Sequence, residues 1–145
     1  MNRKAFLQTG CKFCIAITTT SLLSSLLSSC STANIYKATA IDNNIRVPVN
    51  SFLTDETYKI IRTGSNDFDI LLRKRPDGIY SALLMKCTHV ENALVATKKG
   101  FSCNMHGSQF NEEGEVVQGP AARSLTRFQT SNDNEYITIH LSKTS

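Results

Sequence analysis

The chain has 145 residues, of which 41% are hydrophobic and 19% charged, so it is long enough for one domain with a modest core. Its formal net charge is +4, but Arg3, Lys4 and Lys12 lie in the first 29 residues, where no acidic residue occurs. The rest of the chain contains the other 13 of the 16 basic residues and all 12 acidic residues. This near balance excludes a strongly basic surface, so no nucleic-acid partner is predicted.

The N-terminal segment, residues 1–29, has the pattern of an export signal. Basic residues at positions 3 and 4 precede a short apolar stretch over residues 13–27. The stretch ends in Leu27-Ser28-Ser29-Cys30, which resembles a bacterial lipobox, the sequence in which the cysteine is acylated and becomes the mature N-terminus. The resemblance implies lipidation of Cys30, and two or three acyl chains are enough to anchor a protein stably to a membrane.

Two other interpretations of this segment stay open, an uncleaved transmembrane helix and a soluble secreted form. The segment 13–29 is shorter than the roughly 20 apolar residues that a membrane helix needs, and serines and threonines interrupt it. The start, Arg3-Lys4-Ala5-Phe6-Leu7-Gln8, resembles a twin-arginine signal with lysine as the second basic residue, so the export route is also open. Cys11 and Cys14 form a Cys-x-x-Cys motif, which we interpret as incidental inside a signal segment.

Residues 30–34 are predicted to be a tether, and no sustained helical periodicity occurs from residue 35 onward. Short segments rich in β-branched and aromatic residues alternate with turn signals, which is typical of an all-β domain. The predicted strands are 36–41, 45–49, 58–62, 68–73, 79–85, 100–103 and 136–141. Between two of them, Pro76-Asp77-Gly78 predicts a hairpin turn, because proline fixes φ and glycine accepts φ > 0. Residues 35–145 are therefore predicted to form a single all-β domain.

Two short segments, Cys87-Thr88-His89 and Cys103-Asn104-Met105-His106, each contain one cysteine and one histidine. Two thiolates and two imidazoles make a complete four-ligand set for a metal centre. A structural zinc site and a Cys87–Cys103 disulfide are two interpretations of this set. The zinc-finger pattern, however, keeps cysteine with cysteine and histidine with histidine. A disulfide leaves unexplained why a histidine lies within three residues of each cysteine.

Extended through Gly107-Ser108-Gln109-Phe110, these segments resemble the two cluster-binding loops of Rieske iron–sulfur proteins. The later sequence Gly119-Pro120-Ala121-Ala122-Arg123-Ser124-Leu125 resembles the proline loop that covers the cluster in that family. The resemblance extends over residues 35–141. It implies an all-β, Rieske-type antiparallel β-sandwich with a small cluster-binding subdomain of two loops, and one [2Fe-2S] cluster per chain.

The resemblance also implies roles for the four ligands. Cys87 and Cys103 would bind one iron, and His89 and His106 would bind the other. Two neutral imidazoles in place of two thiolates remove negative charge from the cluster, which raises the reduction potential to roughly −150 to +300 mV. Ser108 matches a serine whose hydroxyl contacts the cluster sulfurs in the family.

Three departures from the quinol-oxidising members of that family bear on the potential. Those members carry an extra cysteine in each loop, joined as a disulfide, where this chain has Asn92 (or a near neighbour) and Met105. They also place a tyrosine hydroxyl against a cluster sulfur, where this chain has Phe110. Hydrogen bonds to the sulfurs stabilise the reduced state. We therefore predict a potential below that of the quinol-oxidising proteins and above or near that of dioxygenase-type ferredoxins.

The implied function is one-electron transfer with redox partner proteins, by an exported, lipid-anchored protein on the periplasmic side of a bacterial membrane. The alternatives are a small subunit of a larger oxidoreductase complex, either a quinol–cytochrome reductase or a molybdenum oxidase, and a structural zinc module. The sequence contains no nucleophile–base arrangement and no nucleotide-binding loop, so we predict neither enzymatic activity of the chain alone nor a nucleotide cofactor. His140 falls in the last predicted strand and is interpreted as an ordinary strand residue.

Overall fold

The computed structural model describes residues 34–142, and their secondary structure consists of β-strands and one short 3-10 turn, Val49–Ser51. The strands are β1 (Ile35–Ala38), β2 (Ala40–Ile41), β3 (Asn44–Pro48), β4 (Tyr58–Thr63), β5 (Ile70–Lys74), β6 (Tyr80–Leu84), β7 (Val95–Thr97), β8 (Gly100–Ser102), β9 (Gln109–Phe110), β10 (Val116–Gln118), β11 (Arg127–Asn132) and β12 (Tyr136–His140). The predicted all-β class is confirmed. No helix within residues 34–142 is long and apolar enough to cross a membrane. The signal segment with Cys11 and Cys14, and the lipidation candidate Cys30, lie outside the described residues.

Eight strands form one large sheet in the order β1-β4-β5-β6-β11-β12-β3-β2. Its two edge strands, β1 and β2, are consecutive in the chain and separated only by Thr39, so the sheet curls and is nearly closed. Neighbouring strands are antiparallel, as expected, except that β1 runs parallel to β4 with Ile35 opposite Ile60. The single strand predicted at 36–41 is therefore two strands, which pair with different partners.

The main core lies on the inner face of this curled sheet. Strands β3 and β12 show how the sequence builds it, because Ile45 stands opposite Ile139 and Val47 opposite Ile137. All four side chains have 0% exposure, while the residues between them point to the other face. Fully burying one such side chain contributes about 1.5–3 kcal/mol. The alternating pattern of the sequence thus fixes the register of the two strands.

Two tight turns position the hairpins of the sheet. Asp42 and Asn43 join β2 to β3 with φ values of 49° and 60°, and positive φ at both central residues is what a two-residue turn of type I′ requires. The predicted turn at 76–78 joins β5 to β6, with Gly78 at φ 80° and its N–H donating to the Arg75 carbonyl over 3.0 Å. That prediction is confirmed.

The remaining four strands form a small sheet in the order β10-β9-β8-β7, inserted between β6 and β11 of the large sheet. Strands β6 and β11 are neighbours, with Leu83 opposite Arg127, so the chain leaves and re-enters the large sheet at one place. A second core lies beneath the insertion and includes Leu71 and Leu83 from the outer face of the large sheet. The Ile-Leu-Leu segment of β5 is accordingly buried on both faces.

Candidate metal centre

The first ligand segment is the tip of a narrow loop between β6 and β7. An isolated bridge between Lys86 and Ala93 closes the loop, and the Leu94 N–H donates to the Met85 carbonyl over 3.0 Å just below it. Within the loop, the Cys87 N–H donates to the Asn92 carbonyl over 2.9 Å. Cys87 is therefore held at the buried base of the loop, while His89 stands exposed at its tip.

The second ligand segment connects β8 to β9. Phe101 pairs with Phe110 at the base of this hairpin. Above it, the Cys103 N–H donates to the Ser108 carbonyl over 2.9 Å, and the Gly107 N–H donates back to the Cys103 carbonyl over 3.1 Å. The turn needs glycine at position 107, where φ is 79°. Cys103 is consequently buried, and His106 is exposed.

The predicted proline-loop segment, residues 119–125, lies against both ligand loops. The Ala121 N–H donates to Ser108 Oγ of the second loop over 3.0 Å. Thr88 Oγ1 of the first loop donates to the Arg123 carbonyl over 2.5 Å. Three segments that are distant in sequence are therefore tied into one site.

The four predicted ligands meet as two pairs of the same residue type. Cys87 and Cys103 are each 2% exposed, and both belong to the second core. The rings of His89 and His106 are 5.1 Å apart between centroids, edge to face, on the solvent side. Both cysteines are free thiols, so the disulfide alternative does not describe this structure. Across residues 34–142, no three His, Cys, Asp or Glu side chains converge on one metal position.

The surroundings of Cys103 favour its thiolate. Burial raises the pKa of the Cys103 thiol, but this effect is outweighed by hydrogen bonds from the Met105 and His106 backbone N–H groups and from the Cys87 and Asn92 side chains. The pKa therefore lies below the ordinary value of a thiol. Because the thiolate is the form that binds metals, this environment suits a metal ligand.

Two further predicted residues lie directly behind the cysteines. Ser108 is completely buried, and because its Oγ accepts a hydrogen bond from Ala121, its own hydroxyl hydrogen is free to donate elsewhere. Phe110 is 2% exposed and belongs to the second core, where its ring offers no hydroxyl. The residues of the site fit a [2Fe-2S] group, because they supply two cysteine and two histidine ligands and one free hydroxyl hydrogen on segments that hydrogen bonds tie together.

Asn92 contacts the site in a way that the sequence did not indicate. Its side-chain Nδ2 lies 3.8 Å from Cys103 Sγ, within the range of hydrogen bonds to sulfur. In the sequence, Asn92 stands out only as a position where the quinol-oxidising proteins carry cysteine, because residue spacing does not give the direction of a side chain. His140 lies in β12, as predicted, where its Nδ1 is 2.7 Å from Asn44 Oδ1 and its Nε2 is 2.9 Å from Ser131 Oγ.

Comparison with known proteins agrees with this geometry. Residues 43–129 match the family described as the Rieske [2Fe-2S] domain. Curated relatives include the chloroplastic cytochrome b6-f complex iron-sulfur subunit of Chlamydomonas reinhardtii, 51% identical over 41 residues, which cover 27% of this chain and 20% of the relative. The cytochrome b6-f complex iron-sulfur subunit 1 of Nostoc sp. is 36% identical over 55 residues, which cover 37% of this chain and 31% of the relative. The chain thus spans less than a third of the length of these relatives.

Solved structures include the plasma membrane Rieske protein PetC3 of the cyanobacterium Synechocystis PCC 6803. It is 25% identical, with a TM-score of 0.54 over 65% of this chain and 96% of that one. A chain from the complex of oxygenase and ferredoxin in carbazole 1,9a-dioxygenase, 17% identical, shares the fold with a TM-score of 0.53 over 72% of this chain and 99% of that one. The chain belongs to the Rieske [2Fe-2S] domain family, and its cofactor is one [2Fe-2S] cluster.

Proposed function

We propose that Cys87 and Cys103 bind one iron of the cluster, that His89 and His106 bind the other, and that electrons reach redox partner proteins through the histidines. The observation that carries this proposal is the contrast in burial between the two pairs. Both cysteines are 2% exposed, whereas both histidines are exposed at the tips of their loops. A partner that docks on the tips therefore comes closest to the imidazoles.

The residues of the site have distinct tasks in this function. When bound, a [2Fe-2S] group supplies a one-electron redox couple. The backbone hydrogen bonds of Cys87 and Cys103 fix the inner ligands, and the second core beneath them excludes water. Residues 119–125 cover the site from the side, where Ala121 orients the Ser108 hydroxyl. The exposed imidazoles leave one face open for electron exchange.

The test is to produce the full chain under iron-replete conditions, purify it in detergent, and record absorption and electron paramagnetic resonance spectra. A red-brown protein whose reduced form gives a rhombic signal, with an average g value below that of all-cysteine clusters, supports the proposal. A colourless protein that carries one zinc ion contradicts it and favours the structural zinc module instead.

Phe110→Tyr tests the predicted intermediate potential. A tyrosine hydroxyl at this buried position would add a hydrogen-bond donor beside the cluster and so stabilise the reduced state. A net gain of about 1 kcal/mol corresponds to a rise of about 40 mV for a one-electron couple. Redox titration should therefore give a higher midpoint than wild type, and an unchanged or lower midpoint would remove the argument from Phe110.

A second candidate is a subunit of a quinol–cytochrome reductase type of complex. The relatives from Chlamydomonas reinhardtii and Nostoc sp. are named as iron-sulfur subunits of the cytochrome b6-f complex, which favours this candidate. Purification from the native membrane in mild detergent distinguishes the two. A stable complex would co-purify with larger subunits in fixed ratio, whereas a free carrier would purify alone.

We further propose that the protein is exported, that residues 1–29 are a signal and residues 30–34 a tether, and that Cys30 is lipidated on the periplasmic side of a bacterial membrane. Support comes from the lipobox-like sequence at Cys30 and from the relative PetC3, described as a plasma membrane protein. Cys30→Ser should move the protein from the membrane fraction to the soluble fraction, because serine carries no thioether-linked lipid. Cys14→Ser is the matched control and should stay in the membrane fraction. A Cys30→Ser protein that remains membrane-bound would favour an uncleaved helix.

A further inference from the structure

We infer that Asn92 is a positioning residue that joins the two ligand loops and donates a hydrogen bond to the Cys103 sulfur, and that it thereby raises the reduction potential of the cluster. The inference rests on the proposed ligand set. It goes beyond that set because it assigns a role to a residue that is itself no ligand.

The backbone of Asn92 is part of the first ligand loop. Its carbonyl accepts the N–H of Cys87 over 2.9 Å, and its own N–H donates to the Val90 carbonyl over 2.7 Å. These bonds place the half-buried side chain of Asn92 on the inner side of the loop, towards the second ligand segment. The residue is therefore held by the same loop as one cysteine and directed at the other.

The orientation of the Asn92 amide follows from its second hydrogen bond. Nδ2 donates to the carbonyl of Ala93 over 3.0 Å, and a carbonyl can only accept. This bond requires the nitrogen, rather than Oδ1, on the side where Cys103 Sγ lies 3.8 Å away. An amide nitrogen carries two hydrogens, so one serves Ala93 and the other is available to the sulfur.

Two consequences follow for a bound cluster. Reduction adds negative charge to the sulfurs, so an N–H group directed at one of them stabilises the reduced form and raises the potential. The same bond links the first loop to the second. Within the described residues no disulfide joins these loops, because Cys87 and Cys103 are both free. Asn92 thus supplies a non-covalent link between the loops.

Three variants of the full chain test the inference. Asn92→Leu keeps the approximate size and removes both N–H donors, Asn92→Ala removes the side chain, and Asn92→Asp replaces the donor by a negative carboxylate. At an ambient potential equal to the wild-type midpoint, the ratio of reduced to oxidised protein should fall by about threefold to tenfold in Asn92→Leu, tenfold being about 59 mV for one electron. The fall should be larger in Asn92→Asp, because its charge repels the added electron.

Asn104→Ala is the matched control. Asn104 is an exposed asparagine of the second ligand loop, and its side chain makes no hydrogen bond within residues 34–142. The midpoint potential of Asn104→Ala should equal that of wild type. If Asn92→Leu and Asn92→Ala also keep the wild-type midpoint, or if they only shorten the lifetime of the cluster, the inference is wrong.

A measurement on the wild-type sequence keeps the test independent of whether the variants fold. Pulsed electron paramagnetic resonance of the reduced protein, with ¹⁵N in the side-chain amide of asparagine, should detect a weak nitrogen coupling to the cluster. Asn104→Ala should retain this coupling. If wild-type protein gives a normal rhombic signal but no nitrogen coupling, the inference is wrong and the proposed ligand set remains intact. A wild-type protein without any cluster would instead overturn the proposed function.

Discussion

Cys103→Ser is expected to abolish the rhombic signal and the red-brown colour of the protein while leaving the large sheet folded. A serine hydroxyl does not ionise at neutral pH as a thiol does, and iron–sulfur clusters depend on thiolate ligands. Loss of even an outer partner of a metal ligand typically costs about 10- to 100-fold in affinity. The iron content of the purified variant should therefore fall by at least about tenfold.

The fold should survive this change because the serine oxygen can accept the hydrogen bonds that the Cys103 sulfur accepts. The Met105 and His106 N–H groups that point at the Cys103 sulfur remain available to Oγ. Buried hydroxyls with partners are tolerated, whereas unpaired ones cost about 1–3 kcal/mol. Far-ultraviolet circular dichroism should therefore match wild type. The control is Cys11→Ser, in the predicted signal segment, which should keep the full signal. Retention of the rhombic signal by Cys103→Ser would contradict the ligand assignment.

Gly100→Ala is expected to destabilise the small sheet strongly although it removes no ligand. Gly100 begins β8 with φ 134°, a conformation that side chains rarely adopt, and a Cβ there would lie 2.0 Å from the Phe110 carbonyl oxygen. The obstacle is backbone, so β8 and β9 would have to separate. Backbone strain and overpacking each cost about 1–3 kcal/mol, and we expect a total loss of about 3 kcal/mol or more.

The effect should appear first at the cluster, because β8 leads directly to Cys103 and β9 follows Ser108. The denaturant concentration at which the visible absorbance is half lost should fall by about 1 M urea or more. Gly64→Ala is the matched control, since nothing lies within 4 Å of a Cβ at position 64 and its φ is not in the left-handed region. Coincident midpoints for Gly100→Ala and wild type would show that β8 and β9 tolerate separation.

Strands with several alternating or continuous apolar residues could be predicted from the sequence, whereas the polar strand β11 and the strands of two or three residues could not. Strands β4 and β12 lie within one residue of their predicted bounds, because their apolar side chains are required by the core. Strand β11 was missed, since Phe128 is its one buried residue and its pairing with β6 and β12 is a tertiary effect. Strands β7, β9 and β10 have only two or three residues each, too few for a period to be recognised.

In the candidate site, too, local features could be predicted from the sequence and tertiary contacts could not. The spacing of the cysteines and histidines predicts the two ligand loops, because each loop is short enough to act as a local unit. The contacts between the loops depend on the tertiary fold. Neither the bond from Ala121 to Ser108 Oγ nor the approach of Asn92 to Cys103 Sγ is contained in any local pattern. Ser108 and Phe110 are thus recognisable from the sequence, whereas the contacts that hold Ser108 and Asn92 against their neighbours are known only from the fold.

The insertion of the small sheet between β6 and β11 has a thermodynamic consequence. Closing a long loop costs conformational entropy that grows with its length, but the pairing of Leu83 with Arg127 already holds the two ends of this segment together. We therefore expect the small sheet to open and close as a sub-global folding unit while the large sheet stays native. We expect the protein to lose and regain its cofactor through such local opening, without passing through the globally unfolded state.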